Sequence, residues 1–77
     1  MNKARRNRIA DVQTKLAELQ QEIDGILAEE QEAYDNMPES FQDSERGEAM
    51  QEAIDALESA VSSCEEVDEY LTSAAGE

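Results

Sequence analysis

Two long series of apolar residues recur at steps of three and four, and that spacing constrains this chain more than any other feature. The first series runs Ile9, Val12, Leu16, Leu19, Ile23, Ile26 and Leu27, and reaches Tyr34. The second runs Met50, Ile54, Leu57, Val61, Cys64, Val67 and Leu71. Steps of three and four keep side chains on one face of an α-helix, so each series predicts an amphipathic helix with a coiled-coil-like seam. The high charge would suit a disordered chain. Two sustained helical periods outweigh it and predict folded, all-α structure.

Between the series lies DNMPESFQD, residues 35–43. Pro38 disfavours helical geometry at Met37, so the first helix should end by about Asn36. Asp43 or Ser44 can cap a second helix, whose positive end suits Glu45 and Glu48. A helical turn opened by Pro38 fits inside the connection, and Gly76 is a weak stop signal. The expected layout is one domain, 1–77, with helix 1 at about 4–36, the connection at about 37–43 and helix 2 at about 44–73. At about 1.5 Å per residue both helices are about 45 Å long. Similar lengths and a short connection predict an antiparallel two-helix hairpin. In that hairpin Arg5, Arg6 and Arg8 come near Glu65, Glu66, Asp68 and Glu69, and several such pairs together favour the orientation.

The chain has 77 residues, one cysteine and no histidine. A domain this short buries only about 60% of the surface of its unfolded chain, and no intramolecular disulfide can staple it. A lone hairpin also leaves much of each seam uncovered. The expectation is therefore a homodimer, two hairpins making a four-helix bundle. The seam would be Ile9, Val12, Leu16, Leu19, Ile23 and Leu27 on helix 1, with Ile54, Leu57, Val61 and Leu71 on helix 2. The alternative is that this seam receives a different protein.

Charge bears most on partners. Six basic residues stand against 20 acidic ones, for a net charge of −14. Lys3, Arg5, Arg6, Arg8 and Lys15 cluster before residue 16, and Arg46 is the only base after it. Such a balance argues against direct binding to nucleic acid, where phosphate contacts dominate affinity, and points to a protein partner with a basic surface. Glu45, Glu48, Glu52, Asp55 and Glu58 form a row at helical spacing on helix 2. Glu18, Glu22, Glu29 and Glu32 form a comparable row on helix 1, interrupted at Gly25, of which Glu18, Glu22 and Glu29 are expected to face a partner. Rows of one sign repel themselves, and surface helices usually alternate signs. A rigid rod of one sign can imitate a nucleic-acid backbone and speed its encounter with a basic groove. The plainer reading is a solvated acidic face.

Residues that could carry chemistry are few. Cys64 falls on the second seam, where a cysteine acts as a small hydrophobe; the alternative is a reactive thiol, with no histidine to activate it. An EF-hand loop needs a glycine at its sixth position, which DNMPESFQDSE lacks. Carboxylate-bridged di-iron bundles need Glu-x-x-His. Neither a metal, a cofactor nor an enzymatic activity is expected. Phe41 either closes the hairpin's end over Tyr34 or Met50 or stands exposed as an anchor. Tyr34 and Tyr70 are expected at the seam edge. Gly25 either admits a close neighbour or is a tolerated weak point. No stretch reaches the roughly 20 apolar residues of a membrane span, and the basic start MNKARRNRIADVQ is followed by no signal-peptide core. A cytoplasmic location and a reduced Cys64 are the expectations.

The stretch EEQEAYDNMPESFQDSERGEAMQEAID, residues 29–55, resembles small acidic helical proteins of bacteriophages and prophages. It covers about a third of the chain and carries no functional residue over with it. The resemblance implies a mobile-element origin, and phages often encode tiny acidic proteins that block host defence enzymes such as CRISPR effectors and restriction systems. The functional expectation is accordingly an inhibitor that occupies the basic, nucleic-acid-binding surface of a host protein. The alternative is a homo-oligomeric adaptor or chaperone-like assembly module that works through its apolar seam.

Overall fold

A computed structural model describes residues 1–76. Three helices follow one another: α1 (Lys3–Asp35), the single turn α2 (Glu39–Gln42) and α3 (Glu45–Gly76). The long helices α1 and α3 pack antiparallel along their length, in a rod of 58 × 15 × 12 Å. The hairpin and its boundaries follow the sequence expectation within a residue or two, except that α3 runs on to Gly76. Gly76 is itself helical and does not stop the helix short.

Each turn of the connection has a local cause. Asn2 caps α1, its side-chain oxygen accepting from the Arg5 N–H at 2.8 Å, which satisfies one of the orphan donors of a helix start. At the other end Asn36 donates its N–H to the Glu32 carbonyl at 3.0 Å. Pro38, with φ −57° and ψ 144°, then turns the chain out of the helix. Phe41 and Gln42 N–H groups donate back to the Pro38 carbonyl at 2.8 and 3.2 Å, forming α2. Ser44 opens α3: its hydroxyl accepts from the Gly47 N–H at 3.3 Å and donates to the Phe41 carbonyl. Of the two caps the sequence allowed, Ser44 is the one used.

Gln42 ties the connection to α1. Its Nε2 donates to the Tyr34 carbonyl at 3.1 Å and the Met37 carbonyl at 3.2 Å; the Tyr34 carbonyl also accepts from the Met37 N–H at 3.1 Å. Gly47 is buried where α3 passes α2. A Cβ built on it would lie 2.1 Å from the Gln42 carbonyl oxygen and 2.6 Å from that of Phe41, so the crossing needs glycine. Around Gly25, by contrast, nothing lies within 4 Å of such a Cβ, so no other element of this chain uses the close approach that a glycine there would admit.

The core is one line along the hairpin. On α3 it follows Gly47, Met50, Ile54, Leu57, Val61, Cys64 and Leu71, all buried or half-buried. Ile54 is 1% exposed and Cys64 8%, which places the thiol as a packed hydrophobe. On α1 the half-buried line is Ile9, Gln13, Leu16, Gln20, Ile23, Leu27 and Tyr34. Three of the eight members of the apolar series of α1 are absent from it. Val12 and Leu19, assigned by the sequence to the same seam, and Ile26 of the same apolar series are each about half exposed.

Candidate interaction faces

Rotation of α1 about its own axis explains that split. At about 100° per residue, Gln13, Ala17 and Gln20 lie on one flank of the Ile9–Leu16–Ile23 line. Val12, Leu19, Ile26 and Ala33, spaced by seven, lie on the other. On α3 the same reasoning puts Glu58, Glu65 and Glu69 on one flank of the buried line. Arg46, Ala53, Ala60, Val67 and Ala74, also spaced by seven, fall on the opposite flank.

The grooves between the helices show how these flanks combine. One groove is lined by Gln13, Leu16, Ala17 and Gln20 of α1 with Glu65, Asp68 and Glu69 of α3. There Gln13 Nε2 donates to Asp68 Oδ1 at 3.2 Å and Thr72 Oγ1 at 3.0 Å. A second groove joins Ala33 and Asn36 to Arg46 and Met50, and continues to Met37, Pro38 and Phe41. The Gln13 flank therefore shares a side with Glu65 and Glu69, and the Val12 flank shares the other side with the alanine row of α3.

One side of the rod is thus polar and the other apolar. Val12, Leu19, Ile26, Phe41 and Val67, between 45% and 57% exposed, all belong to the apolar side. Met1 lies there too, in a groove with Arg5, Arg8, Ile9 and Val12. Tyr70 stands at its outer edge and is 74% exposed, further out than the seam-edge position expected of it. Phe41 does not close the hairpin's end. It lies open beside Met50, because α2 is a single turn that leaves the ring on the groove's rim.

Two of the N-terminal arginines, Arg5 and Arg8, also sit differently from expectation. Arg5 and Arg8 are on the apolar side, whereas Glu65, Asp68 and Glu69 line the polar groove across from them. The polar tie between the helices at this end is made by Gln13, a residue with no marked signal in the sequence. Its only mark is that it falls at helical spacing with Ile9, Leu16 and Gln20.

All the acids expected at a partner surface are exposed: Glu45, Glu48, Glu52, Asp55 and Glu58 on α3, and Glu18, Glu22 and Glu29 on α1. They do not form one surface. The α3 row points outward and toward the polar side; the α1 row runs along the opposite edge of the rod. Among the described residues no cluster of three or more carboxylate or thiol groups could hold a metal ion. No described helix is long and apolar enough to cross a membrane.

The fold and these faces define a helical-hairpin protein with one apolar side and two acidic edges. No protein-family model, curated protein or solved structure matches the chain.

Proposed function

We propose that this chain is a non-catalytic protein-binding module of phage type, which inhibits a host defence protein by laying an acidic edge in that protein's basic, nucleic-acid-binding groove. The observation that carries the reading is the α3 row. Glu45, Glu48, Glu52, Asp55 and Glu58 are all exposed on one continuous helix. They span about 20 Å at 1.5 Å per residue, roughly one charge every 5 Å, against 3.4 Å per phosphate along one DNA strand. The helix holds that spacing before binding, so little ordering cost is left to the encounter. The resemblance to phage proteins supplies the host setting and a cytoplasmic place of action.

A second reading has its own observation. The exposed large hydrophobic residues gather on one side of the rod, as they would in an assembly adaptor that seats a client there.

A pull-down from host lysate supplies the partner, and the Glu48→Lys, Glu52→Lys, Asp55→Lys triple variant separates the readings. Under the inhibitor reading the triple variant keeps its helical signal and loses association rate strongly. Affinity of the unaltered protein falls steeply with salt, and nucleic acid competes for the partner. Unchanged affinity of the triple variant at both low and high salt rejects it. Loss of binding on Leu19→Glu alone would favour the adaptor.

A further inference from the structure

The apolar side has a charge pattern along its rim that identifies what covers it. Four exposed residues flank the Val12–Leu19–Ile26 row at seven-residue spacing: Arg8, Lys15, Glu22 and Glu29. Two bases are followed by two acids. That order is self-complementary under end-to-end inversion. If a second α1 runs antiparallel across this face, Arg8 meets Glu29 and Lys15 meets Glu22, and a two-fold axis makes each pair twice. The same inversion sets Leu19 on Leu19 and Val12 on Ile26.

The other helix is compatible with this register. Gln13 bonds both Asp68 and Thr72, so position 13 of α1 lies level with about position 70 of α3. Leu19 is then level with the stretch between Ala60 and Val67. An axis through that level pairs Val67 of one copy with Ala60 of the other, and Ala53 with Ala74, so a larger side chain meets a small one at the centre. The seven-residue row of α3 therefore accommodates the axis that the rim charges of α1 define.

The exposed area fits as well. The chain exposes 5780 Å², where a compact monomer of 8.6 kDa exposes about 4,700 Å². The excess of roughly 1,000 Å² matches the about 800 Å² that each partner contributes to a standard interface.

We propose that a second copy of this chain covers the apolar side, inverted end to end, with the two-fold axis passing at Leu19. The alternative, a copy in the same orientation, would set α1 against the alanine row of α3 and leave the four rim charges opposite uncharged residues. Pairing in the inverted sense leaves the acidic row of α3 on the outside, so this inference stands whether or not that row binds a host protein.

Light scattering coupled to size exclusion on the full chain at tens of micromolar should give about twice the 8.6 kDa chain mass. Leu19→Glu should give a monomer that keeps its helical signal, because Leu19 is 51% exposed in the single hairpin. Lys15→Glu should weaken the dimer severalfold, a small effect per exposed pair that symmetry doubles, and adding Glu22→Lys to it should restore the affinity. In a Cys64→Ser background, Leu19→Cys should cross-link two chains under mild oxidation. Val12→Cys should not, since inversion holds those two positions about 21 Å apart. A monomer mass for the unaltered protein overturns the proposal. So does a dimer that resists cross-linking through Leu19→Cys, or one that the added Glu22→Lys fails to restore.

Discussion

Gly47 lies against the backbone of Gln42, so close that a Cβ would fall 2.1 Å from the Gln42 carbonyl oxygen and 2.5 Å from its carbon. Backbone cannot swing aside as the end of a flexible side chain can. The first turn of α3 and the single turn α2 therefore share a contact that only glycine permits. Gly47→Ala should destabilise the protein by about 1–3 kcal/mol, the usual range for overpacking. Gly25→Ala, in open space within α1, should stabilise it by up to about 1 kcal/mol through helix propensity alone. Urea titrations of the two variants side by side check this pair. Equal effects would mean that the crossing relaxes freely.

Among the described residues Ile54 is the one large side chain that is fully buried, at 1% exposure. Truncation to Ala should cost about 2–5 kcal/mol, because a narrow hairpin has few neighbours that can collapse into the cavity. Leu57→Glu, on the same half-buried line, should abolish folding by burying an unpaired charge. Circular dichroism separates these core changes from Leu19→Glu, which should stay helical. A helical Leu57→Glu variant would place the seam elsewhere.

Gln42 holds the connection through two donated hydrogen bonds from one nitrogen, to Tyr34 and Met37 carbonyls. Gln42→Ala should cost about 1 kcal/mol, since it removes the side-chain donor from the Met37 carbonyl and one of two donors from the Tyr34 carbonyl. Gln42→Glu should be worse than Gln42→Ala, because a carboxylate would face two carbonyl oxygens. Melting temperatures in the order unaltered, Ala, Glu are expected. A Glu variant more stable than the Ala variant would show that the side chain swings out to water at no cost.

Added salt should raise the melting temperature. Residues 16–77 carry 19 acids against Arg46, and ions screen self-repulsion among exposed charges. Thermal melts at low and high sodium chloride decide it. A melting temperature that falls with salt would mean that attraction across the rim of the apolar side outweighs repulsion along the acidic edges.

Residue order alone determined a good deal here. The step of three and four fixes two helices because it is a local property of the backbone. Pro38 ends α1 through sterics with its immediate neighbour, and Ser44 caps α3 within one turn. The segregation of charge is likewise written along the chain. Which apolar residues are covered is a different matter. The series Ile9, Val12, Leu16, Leu19, Ile23 reads as one seam, yet Ile9, Leu16 and Ile23 face α3 while Val12 and Leu19 face away. That choice is a rotation of α1 about its own axis. It goes with Gly47 seated on Gln42 at one end of the hairpin and Gln13 bonded to Asp68, 55 positions away, near the other. Such contacts join residues far apart in sequence, and periodicity carries no information about them. Only the tertiary structure could show that a single-looking seam is two rows, one closed on itself and one left open along the side of the rod.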